Sequence, residues 1–338
     1  MREAMLYEKL SEDRVQCNLC AHACRISTSR RGICGVRENR KGILYSLVYG
    51  LPIAENIDPI EKKPLFHVDP GTRSFSIATV GCNFSCTFCQ NHDLSQLPRE
   101  APDIPGRPAA PEDIVARAIR TGSKSISYTY TEPTVFFEYA FDIARLARER
   151  NLKNIFVTNG FMSVAAVDRI APFLDAANVD LKSFRDDFYR KRCGARLQPV
   201  LDSLRRMKER GVWVEATTLL IPGLNDSAEE LQQIAAFIAS LGKETPWHIS
   251  RFYPRYKMSD MPVTDVLAIG HASQIGRAAG LKYVYSGNVP GNEGENTFCA
   301  RCGSLLIERH GYTVRKMRLQ GSACLTCKAP LDGLFENH

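Results

Sequence analysis

Between residues 74 and 287 the sequence alternates short apolar runs with longer amphipathic segments. The apolar runs have the length and residue types of strands, and there are seven of them: "SFSIATVG", "SISYTY", "NIFVTNG", "AANVDLK", "VWVEATTLLIPG", "PWHISRFYP" and "KYVYSG". The intervening segments repeat apolar residues with helical period, and most end in Gly or Asn, as helices often do. This alternation predicts repeated βα units around a parallel sheet, which is an α/β fold, and six or seven units suggest a barrel that is incomplete.

The regions that flank this repeat have a different character. Residues 1–72 contain a cysteine group, the strand-like run "ILYSLVYG" and the Pro-punctuated segment "DPIEKKPLFHVDPG". A short tail with its own cysteines follows residue 295. We therefore predict three parts: an N-terminal Cys-rich region (1–72), a βα core (73–295) and a C-terminal tail (296–338).

The 12 cysteines of the chain are strongly grouped, and only Cys193 stands outside a group. The groups are Cys17, Cys20, Cys24 and Cys34; Cys82, Cys86 and Cys89; and Cys299, Cys302, Cys324 and Cys327. The sequence shows no signal peptide and no apolar run near the roughly 18 residues that span a bilayer, so we expect a cytoplasmic protein without a membrane partner. In a reducing cytosol, cysteines at CxxC spacing indicate metal ligands rather than disulfides.

The formal net charge is +7, which raises the question of a nucleic-acid partner. The basic residues are scattered, however, and no Lys/Arg block is interleaved with aromatic residues. We therefore interpret the charge as a solvated mixed surface and do not expect nucleic acid as a partner.

The segment "GCNFSCTFCQN" contains three cysteines with the spacing C-x3-C-x2-C, directly after the first strand of the repeat. In a barrel, the loops at the carboxyl ends of the strands form the active site. A [4Fe–4S] cube normally takes four thiolates, so three would leave one iron open to a substrate or cofactor. The alternatives are a structural zinc site, which would need a fourth ligand, or three buried thiols.

This loop on a βα background resembles the radical S-adenosylmethionine (SAM) enzymes. The resemblance implies a partial (β/α)6 TIM-like barrel in which Cys82, Cys86 and Cys89 hold a [4Fe–4S] cluster whose open iron binds SAM. Reduction of the cluster would split SAM to methionine and a 5′-deoxyadenosyl radical, which removes a hydrogen atom from the substrate.

Further motifs match that resemblance. The turn "YTYTEPT" follows the second strand, so the resemblance implies that Tyr130, Thr131 and Glu132 bind the methionine part of SAM. Taken alone, Glu132 is also compatible with an ordinary carboxylate at the start of a helix.

The third strand ends in "VTNG" and the fourth contains "DLK", which resemble pyruvate formate-lyase activating enzymes. By that resemblance Asn159 lies near the cofactor, and Asp180 and Lys182 act at the substrate face. Spaced two apart on a strand, Asp180 and Lys182 point the same way, and a structural ion pair is the alternative. Those activating enzymes often carry an aspartate for a monovalent cation where this chain has Val157.

The runs "TTLLIPGLND" and "WHISRFYPRY" resemble the fifth- and sixth-strand motifs of the same family. His248, Arg251 and Tyr253 are therefore candidates to contact the adenine or carboxylate of the cofactor, or the substrate. A single histidine on a strand is also often a satisfied core residue.

The N-terminal cysteines have the spacing C-x2-C-x3-C-x9-C, a complete ligand set for zinc or for a second cluster. With the following "LYSLVYG" and "DPIEKKPLFH", they resemble the radical SAM enzyme of the AmmeMemoRadiSam system, a relative of the pyruvate formate-lyase activating enzymes. The resemblance covers nearly the whole chain.

In the tail, "CARC" and "CLTC" form two CxxC pairs, which predict a zinc ribbon, with rubredoxin-type iron as the alternative. The "HGYTVR" between them predicts a hairpin turn.

We predict a radical SAM oxidoreductase that abstracts hydrogen from a residue of a partner protein or from a small molecule. Its reductant would be an electron donor such as flavodoxin or ferredoxin. The alternatives are transfer of a SAM-derived fragment, or a non-catalytic scaffold that binds metal or nucleic acid. A scaffold has no need of the three-cysteine loop with Glu132 behind it.

Overall fold

The computed structural model describes residues 1–101, 103–289 and 291–335. The first part of the chain forms two small antiparallel sheets with the orders β1-β6-β5 and β2-β3-β4. Their strands are β1 (Arg2–Glu3), β2 (Tyr7–Lys9), β3 (Val15–Cys17), β4 (Arg25–Ile26), β5 (Arg37–Arg40) and β6 (Ile43–Ser46).

The centre of the molecule is an eight-stranded sheet in which β8 to β14 follow one another in chain order and pair in parallel. The strands are β7 (Ala54–Pro59), β8 (Arg73–Ala78), β9 (Ser125–Tyr128), β10 (Lys153–Thr158), β11 (Ala176–Asp180), β12 (Trp213–Leu220), β13 (Trp247–Arg251) and β14 (Val284–Gly287). Each of the seven predicted runs overlaps one of the parallel strands, which confirms the α/β fold. The edge strand β7 pairs antiparallel with β8, so the sheet begins inside the predicted N-terminal region. The division at residues 72 and 295 stays a prediction.

Helices connect the parallel strands and cover the sheet. The α-helices are α1 (His92–Ser95), α2 (Leu97–Glu100), α3 (Pro111–Arg120), α4 (Phe137–Glu149), α5 (Val164–Ile170), α6 (Asp186–Phe188), α7 (Gln198–Glu209), α8 (Ala228–Leu241) and α9 (Val266–Ala278). Short 3-10 turns lie at Ile60–Lys62, Pro133–Phe136, Ala171–Phe173, Tyr256–Met258 and Glu293–Glu295, and a π turn at Tyr189–Cys193. The longer helices give six βα units followed by a seventh strand.

The cap residues and apolar stripes of these helices show why they form where they do. Ser163 begins α5 and Ser227 begins α8, and each side chain accepts a hydrogen bond from a backbone N–H of the first turn. Helix α8 buries Leu231, Ile234 and Ile238 at helical spacing against the sheet. Within the described part of the chain, no helix combines the length and the apolar character needed to cross a membrane.

The tail packs beside β14, at one end of the strand order. Its strands are β15 (Thr297–Phe298), β16 (Leu305–His310), β17 (Thr313–Met317), β18 (Leu319–Gln320) and β19 (Ala323–Cys324). Ile307 of the tail, Tyr285 of β14 and Phe66 share one buried apolar cluster. Arg309 forms a fully buried ion pair with Glu61. The segment before β8, the sheet and the tail are therefore packed together.

His67 is a buried polar residue where the segment before β8, strand β14 and the tail meet. Its Nδ1 lies 2.6 Å from the Asp332 carbonyl oxygen and its Nε2 lies 2.7 Å from the Tyr285 hydroxyl. Because a carbonyl only accepts, Nδ1–H donates to Asp332, and the neutral ring then accepts at Nε2 from Tyr285. Burial lowers the pKa of His67 from 6.5 to about 4.

We expect His67 to make folding stability fall as the pH drops through the acid range. Its folded pKa, about 4, lies below the unfolded value of 6.5, so between these values the unfolded chain binds the additional proton and stability is lost as pH falls. The loss from this group between roughly pH 7 and pH 4.5 is about 2.5 kcal/mol. Urea unfolding of wild type and His67→Gln at both pH values measures it. The variant should lose less stability than wild type on acidification, and equal losses would contradict the prediction.

Candidate functional site

A cavity of about 390 Å³ lies at the carboxyl ends of the central strands. Its walls come from the loop after β8 and from the ends or following turns of β9 to β14, which is where barrels place active sites. The polar and thiol side chains that line it include Cys82, Cys86, Cys89, Tyr130, Thr131, Asn159, Asp180, Lys182, Ser250 and Asn288. Most of the predicted site residues therefore meet in one place, although they come from distant parts of the chain.

The three-cysteine loop occupies one wall of the cavity. Cys82 and Cys86 are buried, and Cys89 is half-buried with its Sγ 3.3 Å from the Ser95 hydroxyl. The loop begins at Gly81, whose φ of +98° and close approach to Val36 leave no space for a side chain, since a Cβ would lie 2.7 Å from Val36 Cγ1. All three thiols thus open onto a common space.

Cys193, the isolated cysteine of the sequence, is completely buried beside Cys86. Its thiol hydrogen-bonds to the Cys86 thiol, and this contact together with burial raises the pKa of Cys86. The Ser85 N–H also donates to the Cys193 carbonyl oxygen at 2.8 Å. Sequence spacing could not reveal this neighbour, because 107 positions separate the two residues.

Asn159 joins the end of β10 to the cysteine loop. Its Nδ2 donates to Asn83 Oδ1 at 2.7 Å and to Cys82 Sγ at 3.7 Å, while its Oδ1 accepts from the Phe161 N–H. Asn159 therefore lies beside the three-cysteine loop, and its predicted position near the cofactor stays a prediction. Asn83 was not predicted as a site residue.

Glu132 lies behind the cavity and not on its wall. Its Oε1 accepts hydrogen bonds from the Thr134 N–H at 3.0 Å, the Thr134 hydroxyl at 2.5 Å and the Thr158 hydroxyl at 2.6 Å. Its Oε2 accepts from the Asn159 N–H at 2.8 Å. Burial raises the pKa of this carboxyl, although the four donors act in the opposite direction. Glu132 therefore positions the turns after β9 and β10, and its contact with a cofactor stays a prediction.

Tyr130 is held in a strained backbone conformation at the cavity wall, with φ at +66°. Its hydroxyl donates to Asp58 at 2.6 Å, and its ring lies 4.7 Å from the Lys63 ammonium. Asn91 also donates to its carbonyl oxygen at 3.0 Å. Lys63 is bonded to Asp58 at 2.6 Å, and burial lowers the pKa of Lys63 to about 8. Sequence reasoning missed Asp58 and Lys63, which come from the chain before β8.

Asp180 and Lys182 both face the cavity and form an ion pair of 2.8 Å. Burial acts to lower the pKa of Lys182, but the Asp180 carboxylate together with Cys86 and Cys193 outweighs it and raises that pKa well above its usual value. Lys182 is 14% exposed and Asp180 is 35% exposed, so the carboxylate is the more accessible of the two. The predicted common orientation is observed, and so is the ion pair.

His248, in contrast, does not line the cavity. It is buried, and its Nε2 lies 2.6 Å from the fully buried Glu215 carboxylate. Ser250, two residues later on the same face of β13, lines the cavity instead. The structure thus places His248 one layer deeper in the barrel, in the core role that the sequence left open. Its contact with a cofactor stays a prediction without support from this geometry.

Arg251 and Tyr253 lie outside the cavity lining. The Arg251 guanidinium donates to the Thr264 carbonyl oxygen at 2.7 Å and to the Tyr253 hydroxyl at 3.3 Å. Val157, in contrast, lines the cavity with an apolar side chain. It offers no carboxylate to a cation.

The four tail cysteines form a compact thiol cluster, with all Sγ atoms within 4.8 Å of one another. Cys299 Sγ lies 3.6 Å from Cys327 Sγ, and Cys302 Sγ lies 3.8 Å from Cys324 Sγ. Four thiolates at the usual zinc–sulfur distance of about 2.3 Å stand about 3.8 Å apart, so this cluster fits a single tetrahedral ion. The Ser304 hydroxyl, followed by its backbone, lowers the pKa of Cys302 to about 6.

The hairpin between the two tail pairs reaches the cavity. Strands β16 and β17 pair antiparallel around Gly311 and Tyr312, as predicted for "HGYTVR". Tyr312 lies at this turn and lines the cavity. The metal-ligand cluster of the tail is therefore joined to a hairpin whose turn forms part of the cavity wall, a role that the sequence did not indicate.

Comparison with known families matches residues 76–238 to the model described as "Radical SAM superfamily". The matched range includes the cysteine loop and the turns after β9, β10 and β11. This chain belongs to the radical SAM superfamily. Membership implies a [4Fe–4S] cluster and SAM as cofactors.

Two relatives and one solved structure illustrate the similarity. The uncharacterized protein MJ0808 of Methanocaldococcus jannaschii is 45% identical over 335 residues, which are 98% of this chain and 99% of the relative. The pyruvate formate-lyase-activating enzyme of Clostridium pasteurianum is 22% identical over 51% of this chain and 71% of its own. A domain of a pyruvate-formate lyase-activating enzyme from Bacteroides vulgatus superposes with a TM-score of 0.43 at 21% identity, covering 49% of this chain and all of that domain.

The residues of the cavity fit the cofactors of this radical SAM protein. Three thiols on one loop would ligate three irons of a cluster and leave the fourth open, and the cavity volume lies in the range of roughly 300–1,000 Å³ that is usual for small-molecule sites. Cys193 is a fourth thiol nearby, but it contacts Cys86 from within the core and does not line the cavity.

Proposed function

We propose that this protein cleaves SAM reductively and uses the resulting radical to abstract hydrogen from a residue of a partner protein or from a small molecule. One observation carries the proposal: Cys82, Cys86 and Cys89 open onto the same cavity as Asn159 and the Asp180–Lys182 pair. When bound there, the cluster supplies the electron that splits SAM to methionine and a 5′-deoxyadenosyl radical.

The side chains of the cavity have different roles in this reaction. Asn159 donates a hydrogen bond toward Cys82 Sγ, which would stabilise negative charge on that ligand. Lys182 stays charged beside Asp180, so the pair offers both a cation and a carboxylate to the amino-acid end of SAM or to the substrate. Phe84, Phe88 and Leu219 line the same space with apolar surface, which excludes water from a reactive radical.

The more specific part of the proposal is that the substrate is a protein. The similarity to a pyruvate formate-lyase-activating enzyme, whose name describes action on another enzyme, supports it. The same proposal includes three further points. The protein belongs to the AmmeMemoRadiSam branch, it catalyses an oxidoreductase reaction of the glycyl-radical-activating kind, and it receives electrons from a donor such as flavodoxin or ferredoxin. The branch assignment rests on the spacing of the N-terminal cysteines and the motifs that follow them.

The experiment is anaerobic reconstitution with iron and sulfide, addition of SAM and dithionite, and chromatography of the products. We expect 5′-deoxyadenosine and methionine in equal amounts. Addition of the protein fraction of a cell extract, freed of small molecules, should increase the rate if the substrate is a protein, whereas the small-molecule fraction should do so if it is not.

The same chromatogram separates the alternatives. Release of 5′-methylthioadenosine in place of 5′-deoxyadenosine would indicate transfer of the aminocarboxypropyl fragment of SAM. A protein that binds iron but forms neither nucleoside would be a non-catalytic scaffold, and the proposal would be wrong.

A further inference from the structure

The N-terminal cysteines surround a cavity of their own. Cys17, Cys20, Cys24 and Cys34 all line one small cavity between the N-terminal sheets and the cysteine loop of the barrel. Strand β3 ends at Cys17, while the other three follow in the loops before β5. The local fold thus gathers four thiols that span 18 positions of the sequence around a single space.

The separation of these thiols argues against a single ion. Among the described residues, only the tail cysteines bring three or more sulfur atoms within 4.8 Å of one another. One zinc ion would need thiolates about 3.8 Å apart, as the tail provides. In a four-iron cube each thiolate binds a different iron, so the ligands stand farther apart around a common centre. The N-terminal arrangement agrees with the larger group.

A buried cation lies at the same cavity with part of its hydrogen-bonding capacity unused. Arg37 is 2% exposed, and its Nη2 donates to the Met5 carbonyl oxygen at 2.7 Å and to Glu138 Oε1 at 2.8 Å. Within the described part of the chain, its Nε and Nη1 have no hydrogen-bond partner. Buried donors without acceptors are costly, so they point to an anionic acceptor beside Arg37, such as a metal centre with four thiolates.

We propose that Cys17, Cys20, Cys24 and Cys34 hold a second [4Fe–4S] cluster, fully ligated by protein, that conducts single electrons toward the loop of Cys82, Cys86 and Cys89. The conducting role rests on the proposed function of that loop, whereas the cluster itself does not.

The wall between the two cavities supports the conducting role. Asn83 lines the N-terminal cavity and directly follows Cys82 in the chain. His22 Nε2 donates to the Asn83 carbonyl oxygen at 2.8 Å, and Asn159 bonds both Asn83 and Cys82. Asn83 and its hydrogen bonds to His22 and Asn159 therefore connect the N-terminal cavity with the three-cysteine loop.

The opposite side of the N-terminal cavity approaches the surface. Ile33 lines it and is 50% exposed, and Cys24 is half-buried. From this side a low-potential one-electron donor protein, such as a flavodoxin, would have a short path to the N-terminal thiols. One electron is transferred in two steps. The donor is oxidised as the N-terminal centre is reduced, and the N-terminal centre is then reoxidised as the centre in the loop is reduced.

Counting iron, acid-labile sulfide and zinc in the reconstituted full chain tests the cluster. Wild type should contain about eight cluster irons, and the triple variant Cys82→Ala, Cys86→Ala, Cys89→Ala should keep about four with matching sulfide. The quadruple variant Cys17→Ser, Cys20→Ser, Cys24→Ser, Cys34→Ser should also keep about four. A triple variant without cluster iron, or with zinc bound by the N-terminal cysteines, would overturn the proposal. That variant decides the question even where the quadruple variant fails to fold.

Rapid mixing with reduced flavodoxin tests the conducting role. In the triple variant, paramagnetic resonance should show a cluster reduced directly by the donor. In the quadruple variant, the fast phase of reduction of the loop cluster should disappear, and an unchanged fast phase would refute conduction. Failure of the proposed function would appear differently, as two reducible clusters in wild type without any cleavage of SAM.

Discussion

Replacement of Cys82, Cys86 or Cys89 by alanine is expected to abolish reductive cleavage of SAM. Each change removes one of the three thiols that we propose as cluster ligands, and the described residues of the cavity wall offer no spare thiol. The measurement is 5′-deoxyadenosine formation under dithionite, together with the paramagnetic resonance of the reduced loop cluster. Any of the three variants that still cleaves SAM would contradict the assignment of the loop.

The chain supplies a matched control for this experiment. Cys193→Ala removes a fully buried thiol that contacts Cys86 but does not open onto the cavity. We expect this variant to keep the cluster and the cleavage activity while losing about 1–2 kcal/mol of stability, as small truncations in a core do. Loss of the loop cluster in Cys193→Ala would instead identify Cys193 as a fourth ligand.

Removal of one tail cysteine should have the largest effect on stability. In Cys299→Ala, three thiolates remain of a closed set of four, so the tail should lose its metal ion. Metal binding contributes about 10–16 kcal/mol to folding in isolated zinc-finger peptides, and the tail also packs on Phe66 and Tyr285. We therefore expect a loss of about 3 kcal/mol or more in chemical unfolding, accompanied by loss of one metal ion per chain.

Metal analysis and absorbance accompany the unfolding measurement. Zinc is colourless, whereas rubredoxin-type iron with the same ligands absorbs visible light, so the two alternatives for the tail are separated. Cys193→Ala again serves as the control, because it reports the cost of losing a buried thiol without a metal role. A Cys299→Ala protein with the stability and metal content of this control would show that the tail cluster does not bind a structural ion.

The turn formed by Gly311 and Tyr312 gives the stability prediction a functional consequence. Tyr312 lines the cavity at the turn of the hairpin that lies between the two cysteine pairs of the tail. Loss of the tail ion should therefore alter binding at the cavity as well as the midpoint of unfolding. The loop cluster itself should remain, since its ligands lie on a separate segment.

Local pattern was sufficient to identify every parallel strand. Strands and helices are determined by periodicity over about ten residues, and short connections keep consecutive βα units adjacent in the sheet. For the same reason the cysteine loop could be placed at the carboxyl end of β8 from sequence alone. The edge strand β7 was missed, because its run "AENIDP" is polar on both sides and half of it is exposed.

Side-chain depth in the barrel could not be predicted. Alternation shows that His248 and Ser250 point the same way, but only the register of β13 against β12 decides which of them reaches the cavity. His248 lies one layer below and pairs with Glu215, whereas Ser250 lines the wall. The same limit applies to Glu132. Its position after β9 was predicted, but the four hydrogen bonds that its carboxylate accepts from two different turns were not.

The sequence by itself therefore determined the seven parallel strands and the number of thiols in each group, because both are properties of residues close together in the chain. The tertiary structure decided which groups meet: Cys193 with Cys86, Asn83 with Asn159, Tyr312 with the cavity, and Arg37 with the N-terminal thiols. It also decided how closely the cysteines of each group approach one another, and among the described residues only the tail group brings all four sulfur atoms within 4.8 Å. These are distances between segments remote in the chain, and they follow from the curvature of the sheet and the packing of the flanking regions on it.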